Sequence, residues 1–335
     1  MMIDFPLIWA GLIAFALLAY VVLDGFDLGV GILFPFVKGQ DNRDQMMNSV
    51  APVWDGNETW LVLAGGGLFA VFPLAYSIIM PALYIPIFLM LLALVFRGVA
   101  FEFRFKVRGK SNFWDLAFAG GSTVAAFAQG MVLGGIVEGI AVQGRSYAGG
   151  AWDWFSPFAV LTGLALVVGY ALLGATWLIL KTEGEVQQHA KRYAPRLLIL
   201  VLAAMVVLSV WTATLHEYYL QRWLVWPDRL YTLIVPVLVL ACAFAVFDGL
   251  KRNRPGKPYL AAVGLFVVSY IGLAMSLFPY LVPPSVTLWE AAAPDKSLQF
   301  LLVGSVVLIP TILAYTAYSY WVFRGKVGDS HGYHG

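Results

Sequence analysis

Long apolar stretches occupy most of this 335-residue chain and restrict the folds that it can adopt. A membrane-spanning helix needs about 20 mostly apolar residues, whereas a soluble domain carries roughly a quarter charged residues. Here 61% of the residues are hydrophobic and 12% are charged. The sequence therefore predicts an all-α integral membrane protein with nine transmembrane helices, at about 6–35, 52–77, 79–103, 113–140, 157–180, 196–216, 229–248, 258–281 and 299–323.

The distribution of Lys and Arg supports this count of spans. If the N-terminus lies outside, the inner connections and the C-terminal tail hold 17 of the 21 Lys and Arg residues. Positive residues gather in the cytoplasmic loops of membrane proteins. Because an extra or missing span would scramble the alternation, the pattern predicts nine crossings, N-out and C-in, in a single polytopic domain over residues 1–335.

Four acidic residues lie where an apolar segment should have none. Asp24 and Asp27 fall in the second half of the first span, and Asp55 and Glu58 lie at the start of the second. Residues three apart share one face of a helix, so each pair should point in one direction. Charged groups in or near a bilayer are costly and usually functional. The acids are therefore the main candidates for a functional site.

Two features predict where the first acid pair packs. Gly25 and Gly29 are two small residues four apart, a spacing that permits close approach of a second helix. Arg97, at the inner end of the third span, is the candidate counter-charge, with Glu102 and Arg104 just beyond it. The functional interpretation is a chain of carboxylates that takes up protons from the cytoplasm. The alternative is a set of satisfied ion pairs and helix caps, which remains open at this point.

Metal ligands are scarce in the sequence. A single cysteine, Cys242, excludes an internal disulfide and a Cys-rich metal site. The histidines fall in a loop, at a helix end and in the tail, and they are His189, His216, His331 and His334. The sequence therefore predicts no metal bound by this chain, and no nucleic-acid-binding surface is evident.

Four stretches together resemble subunit II of the cytochrome bd family of quinol oxidases. They are LDGFDLGVG (Leu23 to Gly31), PVWDGN (Pro52 to Asn57), FRGVAFEFR (Phe96 to Arg104) and SLFPYLVPPS (Ser276 to Ser285). They are spread over most of the chain in the family's order, which makes their combination specific. The stretch Pro283 to Pro294 is similar to the cyanide-insensitive branch of that family.

The resemblance implies a haem-free subunit of a quinol:oxygen oxidoreductase of aerobic respiration, in the bacterial cytoplasmic membrane. Haem b and haem d would lie in the partner, subunit I, which this chain would stabilise while quinol is oxidised and dioxygen is reduced to water. The family fold implies two four-helix bundles, about 1–140 and about 157–281, and a peripheral helix at about 299–323. Membrane lipids and a small accessory subunit are further candidate partners, and some members hold a quinone in subunit II.

The resemblance also implies roles for particular residues. In the mechanism proposed for the family, protons are taken up from the cytoplasm through acids that correspond here to Asp24, Asp27 and Asp55. Glu58 joins them by position, although it and Thr59 stand where some members have Gln and an aliphatic residue. The supporting polar or charged residues expected around the acids are Trp54, Asn57, Arg97 and Glu102.

Two other hypotheses remain open. A proton-coupled secondary transporter could also carry an acid cluster, although its usual mark, an internal repeat with interrupted spans, is not visible. A purely structural partner subunit would have every acid paired.

Overall fold

The computed structural model describes residues 3–104, 106, 111–226 and 228–327, and these are mostly helical. Its first helices are α1 (Phe5–Leu33, followed by a 3-10 turn at Phe34–Phe36), α2 (Gln40–Val50), α3 (Trp54–Val71), α4 (Pro73–Ala82), α5 (Tyr84–Phe103) and α6 (Ser111–Glu138). The hairpin β1 (Val142–Gln143) and β2 (Ser146–Tyr147) precedes α7 (Pro157–Lys181), α8 (Gly184–Leu215), α9 (Glu217–Leu224), α10 (Asp228–Lys251) and α11 (Gly256–Leu277). The hairpin β3 (Tyr280–Val282) and β4 (Val286–Thr287) precedes α12 (Leu288–Ala291) and α13 (Asp295–Val322). The tail histidines His331 and His334 lie outside the described residues, as do Arg108 and Lys110, two of the 17 basic residues counted on the inner side.

Eight helices in the described ranges are long and apolar enough to cross a membrane. They are α1, α5, α6, α7, α8, α10, α11 and α13. A bent pair, α3 and α4, passes the same test when the two are joined and would make a ninth span. The protein is therefore an all-α membrane protein, as the sequence predicts.

The second predicted span is divided by a sharp bend. The axes of α3 and α4 differ by 119° at the break. The break falls at Phe72, whose backbone angles (φ −123°, ψ 61°) are not helical. Pro73 follows, and a proline disfavours the helical conformation of the residue before it. The chain thus turns inside the region predicted as one span over 52–77, and the next long helix starts at Tyr84 rather than near residue 79.

Helix α1 lies at the centre of the fold and packs against α3, α6 and α7. Every residue from Asp24 to Leu33 is buried. A Cβ atom added at Gly29 would lie 1.8 Å from the Tyr170 carbonyl oxygen, and one added at Gly174 would lie 2.3 Å from the Gly29 carbonyl carbon. Only glycine permits this backbone contact between α1 and α7, so the predicted close approach at Gly29 is confirmed.

Sequential helices pack as neighbours in most of the chain, as their short connections predict. The adjacent pairs are α5 with α6, α6 with α7, α7 with α8, and α10 with α11. Helix α13 contacts α1 and α3, and most of its apolar surface is exposed, including Phe300 at 80%. Exposed apolar helix surface of this kind suits contact with lipid or with another subunit.

The connections contain two structures that the span pattern does not predict. The polar helix α2 joins α1 to α3 and begins after Gly39, whose φ of +91° favours glycine. After α11 the chain turns into the β3–β4 hairpin, and Thr287 caps α12 with Glu290 in a reciprocal capping box. Hydrogen bonds from the Thr287 backbone N–H and hydroxyl hold the pKa of the exposed Glu290 below its usual range.

Candidate functional site

The first acid, Asp24, forms a buried ion pair between α1 and α5. Arg97 Nη1 donates to Asp24 Oδ1 at 2.7 Å, and neither side chain is exposed. Arg97, which the sequence predicts as the counter-charge, therefore forms the ion pair with Asp24. Removing one member of a buried pair leaves an uncompensated charge, so this contact constrains how α1 and α5 can pack.

The second acid, Asp27, pairs with an amide instead of a cation. Asn57 Nδ2, on α3, donates to Asp27 Oδ2 at 2.7 Å and to the Leu23 carbonyl oxygen at 3.2 Å. The Tyr320 hydroxyl, on α13, donates to Asn57 Oδ1 at 2.9 Å. Because a backbone carbonyl can only accept, these contacts fix the orientation of the amide. Three helices thus meet at Asp27.

The acids of α3 extend the site toward the surface of the chain. Glu58 Oε2 lies 3.8 Å from Arg97 Nη2, and the Glu58 side chain is 23% exposed. Asp55, one turn nearer the start of α3, is exposed. We call the set Asp24, Asp27, Glu58 and Arg97 the acid cluster. Asp55 adjoins it at the surface.

Of the supporting residues, Trp54 flanks the cluster and Glu102 does not. The Trp54 ring stacks on Phe101 with centroids 4.9 Å apart, and the Arg97 guanidinium lies 5.8 Å from the Trp54 ring centroid. Glu102 is exposed and pairs with Lys106 at 2.8 Å. It is five residues after Arg97, which rotates it by about 140° around α5. The expectation that Glu102 supports the acids is therefore corrected: helix geometry turns its side chain away from them.

Several buried polar atoms in this region have no hydrogen-bond partner among the described protein atoms. In the cluster they are Asp24 Oδ2, Asp27 Oδ1, Arg97 Nε and Arg97 Nη2. The Tyr20 hydroxyl and Trp60 Nε1 also have no partner, and the two side chains belong to one buried cluster between α1 and α3. An unsatisfied buried polar group costs about 1–3 kcal/mol, and ordered water commonly satisfies such groups. The cluster thus contains polar atoms that the described protein atoms leave unsatisfied.

A second charged group lies on neighbouring elements. Arg104 donates to Asp115 at 2.6 Å and to Asp44 at 2.5 Å, and Arg43 donates to Asp115 at 2.8 Å. We call these four residues, Arg43, Asp44, Arg104 and Asp115, the inner ion network. It ties α2 to the ends of α5 and α6.

Sequence reasoning missed Tyr20, Trp60 and Tyr320. Tyr20 lies four residues before Asp24, so the same helix spacing that pairs the acids could have indicated it. Tyr320 is 263 residues from Asn57, and no local signal connects the two. In the described ranges no three His, Cys, Asp or Glu side chains are grouped as metal ligands.

Comparison with known proteins gives a consistent set of relatives. The family model of cytochrome bd terminal oxidase subunit II matches residues 5–323. Cytochrome bd-I ubiquinol oxidase subunit 2 of Escherichia coli (strain K12) is 30% identical over 373 residues, covering 97% of each chain. Cytochrome bd ubiquinol oxidase subunit 2 of Bacillus subtilis (strain 168) is 27% identical, covering 96% of each. A chain in the structure of bd oxidase from Geobacillus thermodenitrificans matches with a TM-score of 0.79 and 17% identity, over 96% of this chain and 99% of that chain, which shows a shared fold.

Proposed function

Because this chain belongs to the subunit II family of cytochrome bd terminal oxidases, we propose that it is a haem-free subunit that delivers protons to its partner. Homologues are subunits of quinol:oxygen oxidoreductases, and the chain is a multi-pass membrane subunit of such a quinol oxidase. Its partner is subunit I, and quinol and dioxygen are the substrates of the complex. The bacterial cytoplasmic membrane is the proposed location. Family membership argues against the proton-coupled transporter.

The proposed arrangement in the membrane has nine crossings. The bent pair α3–α4 counts as one crossing, and 17 of 21 Lys and Arg residues then fall on the inner side. This favours the N-out, C-in orientation. The chain would form one four-helix bundle up to about residue 140, a second over about 157–281, and α13 as the peripheral helix.

The proposal assigns haem b and haem d to subunit I. In this chain the described histidines lie near helix ends, at His189 and His216, and His216 Nε2 is 2.7 Å from the Glu138 carbonyl oxygen. These positions do not fit an axial ligand pair in the membrane interior, so no step of the proposal passes through a haem in this chain. A bound quinone or lipid stays a prediction without assigned residues.

The observation that carries the proton role is the charge balance of the acid cluster. The cluster holds three carboxyl groups and one cation: Arg97 contacts Asp24 and Glu58, and Asp27 is bound by the uncharged Asn57 amide. With every carboxyl ionised, the cluster would carry two uncompensated negative charges at a buried site. Such charge is expensive inside a membrane, and protons are the simplest way to neutralise it. The cluster therefore has the capacity to hold protons.

The geometry also suggests where protons would leave this chain. The buried Asp24 contacts Arg97, and Arg97 contacts the partly exposed Glu58. The exposed Asp55 lies on α3, the helix that carries Glu58. The exposed face of α3 continues through apolar Val62, which is 72% exposed. We place subunit I against this face, where protons would pass to the site of dioxygen reduction. Delivery from the cytoplasm, with quinol protons released outside, would build a transmembrane proton gradient.

The test uses the complete oxidase carrying Glu58→Gln or Asp24→Asn in this chain. We expect turnover per haem to fall at least about tenfold while haem content and subunit ratio stay unchanged, because each variant removes a proton-binding group. Glu58→Gln leaves the Asp24–Arg97 pair intact and so remains informative if Asp24→Asn fails to assemble. Glu102→Gln, on the opposite face of α5, is the matched control. Turnover that falls only in proportion to haem loss would instead support a purely structural subunit.

A further inference from the structure

A cavity of about 330 Å³ lies between the ends of α2, α7 and α13. Its walls include Asn48 and Ser49 of α2, Trp177 and Lys181 of α7, and Tyr320 of α13. The segment Phe323–Val327, which we call the C-terminal strap, contributes Phe323, Gly325, Lys326 and Val327 to the lining. The cavity is thus formed partly by the helix bundle and partly by a segment that follows the last helix.

Lys181 holds the strap in place. Its ammonium group donates to the carbonyl oxygens of Phe323 and Gly325, the latter at 2.8 Å. The Val327 backbone N–H donates to the Lys181 carbonyl oxygen at 2.8 Å, and Gln45 Nε2 donates to the Val327 carbonyl oxygen at 2.9 Å. Phe323 follows the C-terminal end of α13, where free carbonyls carry partial negative charge that favours a cation.

A further contact fastens the strap at its far end. Lys326 pairs with Glu183 at 3.2 Å, and both side chains are partly or largely exposed. An exposed ion pair of this kind contributes little to stability. Lys181 is therefore the main attachment, since the residue is only 7% exposed and its ammonium group binds two strap carbonyls.

Two hydrogen bonds connect a residue of the cavity wall to the acid cluster. Tyr320 lines the cavity, and its hydroxyl donates to Asn57 Oδ1 at 2.9 Å. Asn57 Nδ2 donates in turn to Asp27 Oδ2 at 2.7 Å. Two hydrogen bonds thus separate the cavity wall from a buried carboxylate. Because an amide N–H is a poor acid, Asn57 positions Asp27 and does not itself relay protons.

Two unpaired atoms near these hydrogen bonds differ in what they can do: a carboxylate oxygen can accept a proton, whereas an indole N–H can only donate a hydrogen bond, for example to water. Asp27 Oδ1 is buried and has no hydrogen-bond partner among the described protein atoms, and the same holds for Trp177 Nε1 in the cavity wall. The cavity volume of about 330 Å³ exceeds the roughly 30 Å³ that one water occupies in the liquid, and Asn48, Ser49 and Lys181 provide polar groups in its otherwise mainly apolar wall. Water in the cavity could therefore bring protons close to Asp27 while the Tyr320–Asn57 contact keeps the carboxylate oriented.

We propose that this cavity is the cytoplasmic proton inlet of the acid cluster and that the C-terminal strap, held by Lys181, covers it. The inference rests on the proposed proton function and adds the place where protons enter and a contact that limits their access. Tyr320 is a positioning residue in this scheme. Protons then enter at Asp27 and leave at Glu58 and Asp55.

The first test measures the access of water-soluble reagents to the cavity in the complete oxidase. Ser49→Cys is introduced in a Cys242→Ala background, because Ser49 lines the cavity and is only 3% exposed. A membrane-impermeant methanethiosulfonate reagent is applied to the cytoplasmic face of inverted membrane vesicles. We expect slow labelling with native Lys181 and labelling at least about tenfold faster with Lys181→Met, because the strap then opens more often.

Thr182→Cys is the matched control for this labelling. Thr182 follows Lys181, is fully buried and does not line the cavity. Its labelling rate should not respond to Lys181→Met. If Ser49→Cys and Thr182→Cys accelerate together, the end of α7 unravels and the strap is not a cover. Labelling of Ser49→Cys that is fast with native Lys181, or absent in both backgrounds, would overturn the covered inlet.

The second test asks whether the cavity carries protons. The labelled Ser49→Cys, Lys181→Met oxidase should lose turnover at least about tenfold relative to its own unlabelled form, because the reagent fills the inlet. Reduction with a thiol should restore turnover. Tyr320→Phe should shift the pH profile of turnover without loss of haem. If labelling proceeds but turnover is unaffected, the inlet proposal fails, and the proton role of the cluster is then judged separately by Glu58→Gln.

Discussion

The acid cluster and the inner ion network both consist of arginines and carboxylates, but they differ in the ratio of the two. In the network, Arg43 and Arg104 face Asp44 and Asp115, so its four named members sum to zero charge. In the cluster, three carboxyl groups stand against one guanidinium, which contacts two of them, Asp24 and Glu58. Equal numbers suit a structural clamp, whereas an excess of carboxyl groups suits a site that gains and loses protons.

Burial separates the two groups only in part. The side chains of Asp24 and Arg97 are fully buried, and those of Arg104 and Asp115 in the network are 1% and 8% exposed. Arg43 and Asp44 are 27% and 36% exposed, so solvent screens that half of the network. Because the buried members of the network pair one cation with one carboxylate, charge balance is the physical reason to seek function at the cluster.

The largest effect should come from Arg97→Met, which leaves the buried Asp24 without its cation. Breaking a buried ion pair from one side costs about 3–5 kcal/mol. We expect a sharply lower yield of assembled oxidase and a lower Tm of what assembles, measured after purification in mild detergent. A yield equal to that of the unaltered oxidase would mean that Arg97 does not stabilise the site.

The double variant Arg97→Met, Asp24→Leu sharpens the same comparison. Replacing both members of a buried pair by apolar side chains is often neutral or stabilising. Assembly and Tm should therefore recover most of what Arg97→Met loses, while turnover per haem stays low because a proton-binding carboxyl is missing. Recovery of turnover together with assembly would contradict a proton role for Asp24.

A smaller effect is expected from Asp115→Asn in the inner ion network. This change weakens the charge-assisted hydrogen bonds from Arg43 and Arg104, at a cost of about 1–3 kcal/mol. Thermal unfolding should occur at a lower temperature, and turnover per haem should remain unchanged in the fraction that assembles. A selective loss of turnover would show that charge balance does not separate the two groups.

The smallest effect is expected from Glu102→Gln, whose ion pair with Lys106 is exposed on both sides, at 64% and 62%. Exposed pairs contribute little, so both stability and turnover should stay close to those of the unaltered oxidase, within about 0.5 kcal/mol for unfolding. A large change would place Glu102 in contact with subunit I.

The sequence predicts the parts of the fold and site that depend on composition and short spacing. Apolar length predicts the spans, and the Gly25–Gly29 spacing predicts close approach of a second helix, which the structure identifies as α7. The sequence also predicts the Asp24–Arg97 pair, because a carboxylate deep in a span is costly and Arg97 is a cation at the inner end of a neighbouring span.

Other features escape prediction because they depend on contacts between distant segments. Tyr320 reaches Asn57 only after α13 has packed on α3 and α1. The strap over the cavity has no local signature, since it is held by Lys181 and Gln45 from other parts of the chain. Glu102 was expected near the cluster because it is close to Arg97 in sequence, but helical rotation points it away.

The most direct test is the rate of cytoplasmic proton uptake when reduced oxidase is mixed with dioxygen. Complete oxidase carrying Glu58→Gln is compared with oxidase carrying Asp115→Asn, with a pH-sensitive dye on the cytoplasmic side. The charge-balance account predicts uptake slowed at least about tenfold by Glu58→Gln and unaltered by Asp115→Asn. Equal uptake rates in the two variants, at equal haem content, would contradict it.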